Sequence, residues 1–211
     1  MKLYTYFRSS ASYRVRIALN LKAAPHTLAA VNLFKGEQRN EAYAAENPQK
    51  LVPALNHDGL ILSQSLAIID YIDAIHPEPP IYPDAPEERA LVQSMALIIG
   101  CEIHPLDNLR VLKYLKNELT QPQDAVDTWY RHWITEGFAA LEEIVARHGG
   151  DAFCYGDSPT LADIFLVPQM YNARRFETDL SAFPRLVAID KHLQTLKPFL
   201  DAAPENQPDA A

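Results

Sequence analysis

Five prolines in the stretch 76–86, HPEPPIYPDAP, divide this chain into two parts that cannot share a secondary-structure run. Proline has no amide donor and fixes φ, so this density suits neither a helix nor a sheet interior and reads as a stiff linker. The hydrophobic period changes across it. Up to about residue 75 it switches between two and about 3.6, whereas beyond about residue 88 only the helical period remains. Two domains are expected, an α/β domain over 1–80 and an all-α domain over 87–211.

In the first part, alternation over 2–6 predicts a strand, and Val15, Ile17, Ala18, Leu19 and Leu21 mark a helix over 11–22. A second strand is expected over 27–33 and a short helix over 38–46, stopped by Asn47-Pro48 because a residue before proline avoids helical angles. Strands at 53–56 and 60–62 flank Asp58-Gly59, a strong hairpin turn. Ile68, Ile72 and Ile75 then share one face of a third helix, which completes the order βαβαββα.

In the second part, Leu91, Met95, Ile98 and Glu102 open a long helix that Pro105 should bend. Val126, Trp129, Trp133, Ala140 and Ile144 form the expected core stripe of another. Thr160 and Asp163 have capping-box spacing before an apolar run. A last helix is expected over 184–199, and the tail AAPENQPDAA is expected to be mobile.

The segment Tyr6-Phe7-Arg8-Ser9-Ser10-Ala11-Ser12-Tyr13-Arg14 carries the chemistry. Three serines in four residues cap a helix that directly follows a strand. Such a helix end offers amide donors and a positive dipole, and a sulfur anion is stabilised there as any anion is. Read alone, Ser9, Ser10 and Ser12 are plain caps sooner than catalytic groups, and Arg14 and Arg16 a solvated or salt-bridged helix face.

Composition excludes several other classes of function. Lys+Arg 19 against Asp+Glu 27 leaves a net charge of -8, which disfavours nucleic acid and anionic membranes as partners. No apolar run approaches the roughly 20 residues that span a bilayer. The start MKLYTYFRSS has no apolar leader core, so a cytoplasmic protein is expected. Cys101 and Cys154 lack redox-pair or metal-ligand spacing, the histidines are scattered, and no metal site is expected.

A βαβαββα domain, a proline linker and a helical second domain together resemble the cytosolic glutathione transferase fold, whose first domain is thioredoxin-like. The segments YFRSSASYRVRIALNLK, NPQKLVPAL, QSLAIIDYI, IHPLDNLRVL, GDSPTLADIFLVPQ and NARRF are similar to the zeta class over essentially the whole chain. That resemblance implies a glutathione-dependent cis-trans isomerisation of a small maleyl dicarboxylate, maleylacetoacetate or maleylpyruvate, in aromatic catabolism such as tyrosine degradation. It implies glutathione as cofactor and a homodimer. Ser9 and Ser10 then activate the sulfur. Val52 and Pro53, at a cis-proline step, with Gln64 and Ser65 hold the tripeptide, and His104 and Asn108 contact it or the substrate. Arg8, Arg110 and Arg175 bind the substrate carboxylates, a task that suits the planar guanidinium fork.

One departure matters. Many zeta enzymes have Ser-Ser-Cys at the turn, and here the third position is Ala11, so the reacting sulfur must come from glutathione. Two other functions compete: a general transferase, peroxidase or dehalogenase acting on small electrophiles, and a non-catalytic interaction module. The module ranks last because the thiolate donors and the glutamyl-binding pair are both present.

Overall fold

The alternation after Met1 forms strand β1 (Lys2–Thr5), and the first unit is assembled around it. Helix α1 (Ser10–Leu21), β2 (Thr27–Ala30), a 3-10 turn (Glu37–Arg39), α2 (Glu41–Glu46), β3 (Ala54–His57), β4 (Leu60–Ser63) and α3 (Ser65–Ile75) follow in the expected order. The computed structural model describes residues 1–210. Its sheet runs β2-β1-β3-β4, with β1 parallel to β2 and antiparallel to β3, and β3 antiparallel to β4. The register sets Leu3 against Leu55 and Tyr4 against Ala54, so the two pairs face opposite sides. Tyr4, Tyr6, Val31, Tyr43, Val52 and Ala54 form a buried cluster on one side, with Tyr43 of α2 lying edge-on to Tyr4.

Helix α1 is buried at every residue from Ser10 to Leu19. The solvated-face reading of Arg14 and Arg16 is therefore wrong, since each is 2% exposed. A helix enclosed on all sides has no solvated face, and its polar side chains must bond within the protein. Lys22, just past α1, reaches Asp73 and the carbonyls of Pro77 and Pro79, anchoring the proline linker.

The second unit holds α4 (Pro86–Leu97), a π-helical turn (Ile98–Ile103), α5 (Leu109–Asn117), α6 (Gln123–His148), α7 (Leu161–Arg175) and α8 (Pro184–Leu193). The expected interruption at Pro105 is present, but the helix widens before it: the His104 amide donates to Ile99 at 2.9 Å. In α6 the buried stripe is Val126, Tyr130, Ile134, Phe138, Leu141 and Val145, shifted by one residue from the expected stripe at most positions. Trp129 and Trp133 lie on its flank because bulky indoles tolerate partial exposure. The capping box is as expected. Asp163, fully buried, accepts from the Thr160 amide at 2.8 Å and hydroxyl at 2.9 Å and from the Cys154 amide at 2.8 Å.

The end of the chain departs from expectation. Leu193 ends α8, a separate short helix α9 (Lys197–Ala202) follows, and from Thr195 onward the chain belongs with residues 1–80 in one compact unit, residues 81–194 forming the other. Helix α9 packs on α1. The Tyr13 hydroxyl donates to Phe199 at 3.3 Å and the Asn20 amide to Pro198 at 3.0 Å. The tail beyond it is ordered by Gln207, whose side-chain amide donates to Asp201 and Ala203, both at 2.9 Å.

Two tests follow from the helical unit. A Cβ on Gly137 of α6 would lie 2.4 Å from both Cγ1 and Cδ1 of the fully buried Ile103. Gly137→Ala should therefore lower unfolding free energy by about 1–3 kcal/mol in denaturant titration, as overpacking does. Asp107, 6% exposed, has two carboxylate oxygens without a hydrogen-bond partner, and burial pushes its pKa from 3.8 up to about 8. The unfolded chain releases this proton near 3.8 and the folded chain holds it to about 8, so its contribution to stability falls as pH rises between those values. Asp107→Asn should gain Tm over the native chain progressively from pH ~4 to ~8 and then by a constant amount, as followed by thermal melts across pH.

Candidate active site

The amino end of α1 is built as a donor site. Ser9 caps it from an extended backbone, and its Oγ accepts the Ser12 amide at 3.2 Å. A hydroxyl has one hydrogen besides its lone pairs, so engaging Oγ as an acceptor leaves that hydrogen to donate outward. The Ser9 amide closes the preceding turn on Tyr6 at 2.9 Å. Ser9 is half-buried, whereas Ser10 and Ser12 are 7% and 0% exposed. No acidic residue occupies the first turn of α1 to oppose the dipole. Arg8 precedes the cap, exposed, with Nη2 donating to the Tyr6 hydroxyl at 3.3 Å and its guanidinium 5.2 Å from the Phe7 ring centre.

A second donor end lies at α3. Gln64 has φ 71 and ψ 119, a left-handed conformation that costs a non-glycine residue on the order of 1–3 kcal/mol and tends to persist where function requires it. Its amide donates to Gln49 at 3.1 Å. Ser65 opens the helix, buried, and Arg14 Nη1 donates to its Oγ at 3.4 Å. Arg14 thus places a buried cation beside a second helix start without acids in its first turn. Val52 and Pro53 are joined by a cis peptide bond, as expected, and both are buried.

The helical unit carries the remaining candidates. His104, half-buried, ends the π-helical turn, and Asn108 caps α5, its Oδ1 accepting the Arg110 amide at 3.1 Å. Arg110 is exposed. Arg175 is the last residue of α7, also exposed, with its guanidinium 4.8 Å from the Phe176 ring centre. Its neighbour Arg174 is committed elsewhere, to the buried Asp190. Helix α6 braces both segments. Trp129 Nε1 donates to Leu106 at 3.0 Å, Tyr130 stacks on Phe176 at 3.6 Å, and Arg131 Nη1 donates to the Phe176 carbonyl at 3.2 Å.

The predicted residues are thus distributed over both units: Arg8, Ser9, Ser10, Val52, Pro53, Gln64 and Ser65 in the first, and His104, Asn108, Arg110 and Arg175 in the second. Sequence reading missed the role of Arg14. The one available signal was the apolar residues that follow it, Val15, Ile17, Ala18 and Leu19, interrupted by Arg16. Tyr130 and Arg131 carried no comparable signal, because a contact with Phe176 spans more than forty residues.

The donor set of the first unit fits glutathione. Two acid-free helix starts, one with an adjoining buried arginine, suit a molecule that brings a thiolate and a carboxylate. Neither Cys154 nor the turn itself supplies that sulfur. Cys154 is fully buried and its pKa is pushed well up by desolvation, while Ala11 occupies the turn position where a thiol would sit.

Comparison with known proteins agrees with this arrangement. Residues 3–80 match the family model for the glutathione S-transferase N-terminal domain and residues 127–189 that for the C-terminal domain. The chain is 47% identical over 210 residues to a probable maleylacetoacetate isomerase of Vibrio cholerae, covering 99% of this chain and 97% of that one. Its structure is similar to the holo structure of a maleylpyruvate isomerase described as a bacterial zeta-class glutathione S-transferase, with a TM-score of 0.98, 43% identity and full coverage of both chains. It is also similar to a maleylacetoacetate isomerase of Anaeromyxobacter dehalogenans solved with dicarboxyethyl glutathione and citrate in the active site, with a TM-score of 0.89, 40% identity, and coverage of 100% of this chain and 97% of that one. A thioredoxin-like α/β unit with acid-free helix starts, an all-helical unit, and matches along the whole chain lead to one family: the chain is a member of the zeta class of the glutathione S-transferases.

Proposed function

We propose that this protein is a glutathione-dependent cis-trans isomerase of a small maleyl dicarboxylate, either maleylacetoacetate or maleylpyruvate, with Ser9 as the hydroxyl that activates the sulfur. The observation that carries this reading is the Ser9 cap, whose Oγ accepts the Ser12 amide and so leaves its hydrogen to donate at a helix start free of acids. When bound, glutathione supplies a nucleophilic sulfur able to add reversibly to a conjugated double bond, leaving a single bond about which rotation is possible.

The chain's own residues prepare and steer that chemistry. Ser9 and the α1 dipole lower the thiol pKa because both favour the charged form. Ser10, more enclosed, shapes the same turn. Ser65 and Gln64, backed by Arg14, hold the γ-glutamyl carboxylate, and the backbone at Val52 and Pro53 meets the cysteinyl portion. Arg110 and Arg175, with Arg8 as a third cation, bind the two substrate carboxylates and stabilise the oxyanion that develops when the double bond is attacked. His104 and Asn108 contact glutathione or substrate. The working form in this reading is a homodimer in the cytoplasm.

Steady-state kinetics on both maleyl substrates, with and without glutathione, test the assignment. Turnover should require glutathione. Ser9→Ala should lower kcat/KM by about 10²-fold, the size of a lost oxyanion or thiolate donor. Arg110→Ala and Arg175→Ala should raise KM for either substrate by roughly 10-fold or more while leaving KM for glutathione within about twofold, as expected when a charged hydrogen bond to the carboxylate is lost. Undiminished turnover without glutathione would refute the proposal.

A further inference from the structure

We propose that the carboxyl-terminal tail is a positioning element of the thiolate turn, with Asp209 and Arg16 together fixing the backbone at Tyr6 and Phe7, just before Ser9. The inference rests on the reading that this turn holds the glutathione sulfur. Asp209 Oδ2 accepts the Phe7 amide at 2.9 Å across 202 residues of sequence. Arg16 Nη2 donates to the Phe7 carbonyl at 3.0 Å, and Nη1 to the Tyr6 carbonyl at 3.4 Å and to Thr5 Oγ1 at 3.1 Å. Both backbone polar groups of Phe7 are therefore held by charged side chains, one of them supplied by the tail.

Arg16 is itself tied to the tail, its Nε donating to the Ala202 carbonyl at 3.0 Å. Burial brings its pKa down to about 10, while Tyr13 and Asp209 act in the opposite direction, so it stays cationic at neutral pH. The tail that delivers Asp209 is held by Gln207, bonded to Asp201 and Ala203, and by Asn206, whose amide donates to Leu200 at 2.8 Å. These contacts place an anchored carboxylate one residue from Arg8 and two from Ser9. A turn whose carbonyls and amide are committed on one side has fewer ways to misdirect the Ser9 hydroxyl and the α1 amides, and preorganised donors are what lower a thiol pKa at little cost.

The test compares Asp209→Ala, Asp209→Asn, a chain ending at Gln207, and Ser9→Ala. It uses two readouts: ultraviolet titration of the thiolate in the glutathione-bound protein, and amide hydrogen exchange of the 6–12 segment without glutathione. Asp209→Ala and the shortened chain should raise the thiolate pKa by about half to one unit and accelerate exchange in that segment. Asp209→Asn keeps an acceptor for the Phe7 amide and should restore both readouts. The inference is overturned if Asp209→Ala melts earlier yet keeps its thiolate pKa, or if Asp209→Asn fails like Asp209→Ala. A shift in Ser9→Ala without one in Asp209→Ala refutes only the role of the tail. No shift in Ser9→Ala refutes the sulfur site, and the inference with it.

Discussion

A guanidinium removed from water organises the glutathione-binding unit. Arg16 is 2% exposed, and its donors reach Thr5, Tyr6, Phe7 and Ala202. A buried cation left unpaired would cost several kcal/mol, so these oxygens must stay where they are. They belong to three separate pieces of chain: the end of β1, the turn into α1, and the end of α9. One residue therefore couples strand, tail and the turn that leads into the Ser9 cap. Arg14, on the same enclosed helix, does the equivalent at the start of α3 through Ser65.

The helical unit solves a related problem with aromatic packing in place of buried cations. The substrate-binding candidates sit at places where helices end, His104 and Asn108 around the break at Pro105 and Arg175 at the close of α7. Helix ends are the least constrained parts of a bundle. Three consecutive residues of the long helix α6 compensate, Trp129 through Leu106 and Tyr130 with Arg131 through Phe176. The segments beside the candidate arginines are thereby tied to one long helix, as holding a ligand in one orientation would require.

Much of this was legible in the residues. The order βαβαββα, the proline linker, the capping box and the serine cap at the start of α1 rest on local rules of period, turn chemistry and capping, and each is present in the structure. The misreadings share a different origin. Charge is usually solvated, so Arg14 and Arg16 read as a solvated or salt-bridged face, and only the covering of α1 by α3 and α9 reverses this. The stripe on α6 was misplaced because tryptophans carry high hydrophobic weight, whereas the buried positions went to Tyr130, Ile134 and Phe138. The tail looked mobile because it is short, polar and proline-containing, yet it is pinned by bonds to residues 7 and 16.

The amino-acid sequence by itself determined the elements, their class and the chemistry of the first helix start, because each depends on neighbours within a few residues. It also established kinship through matches spread along the whole chain. Only the tertiary structure decided which charges are buried, where the chain's end comes to lie, and that Gln64 adopts a left-handed backbone. Those outcomes depend on contacts between residues as much as two hundred positions apart, and no local pattern encodes the cost of desolvating a charge until the surrounding surfaces close over it.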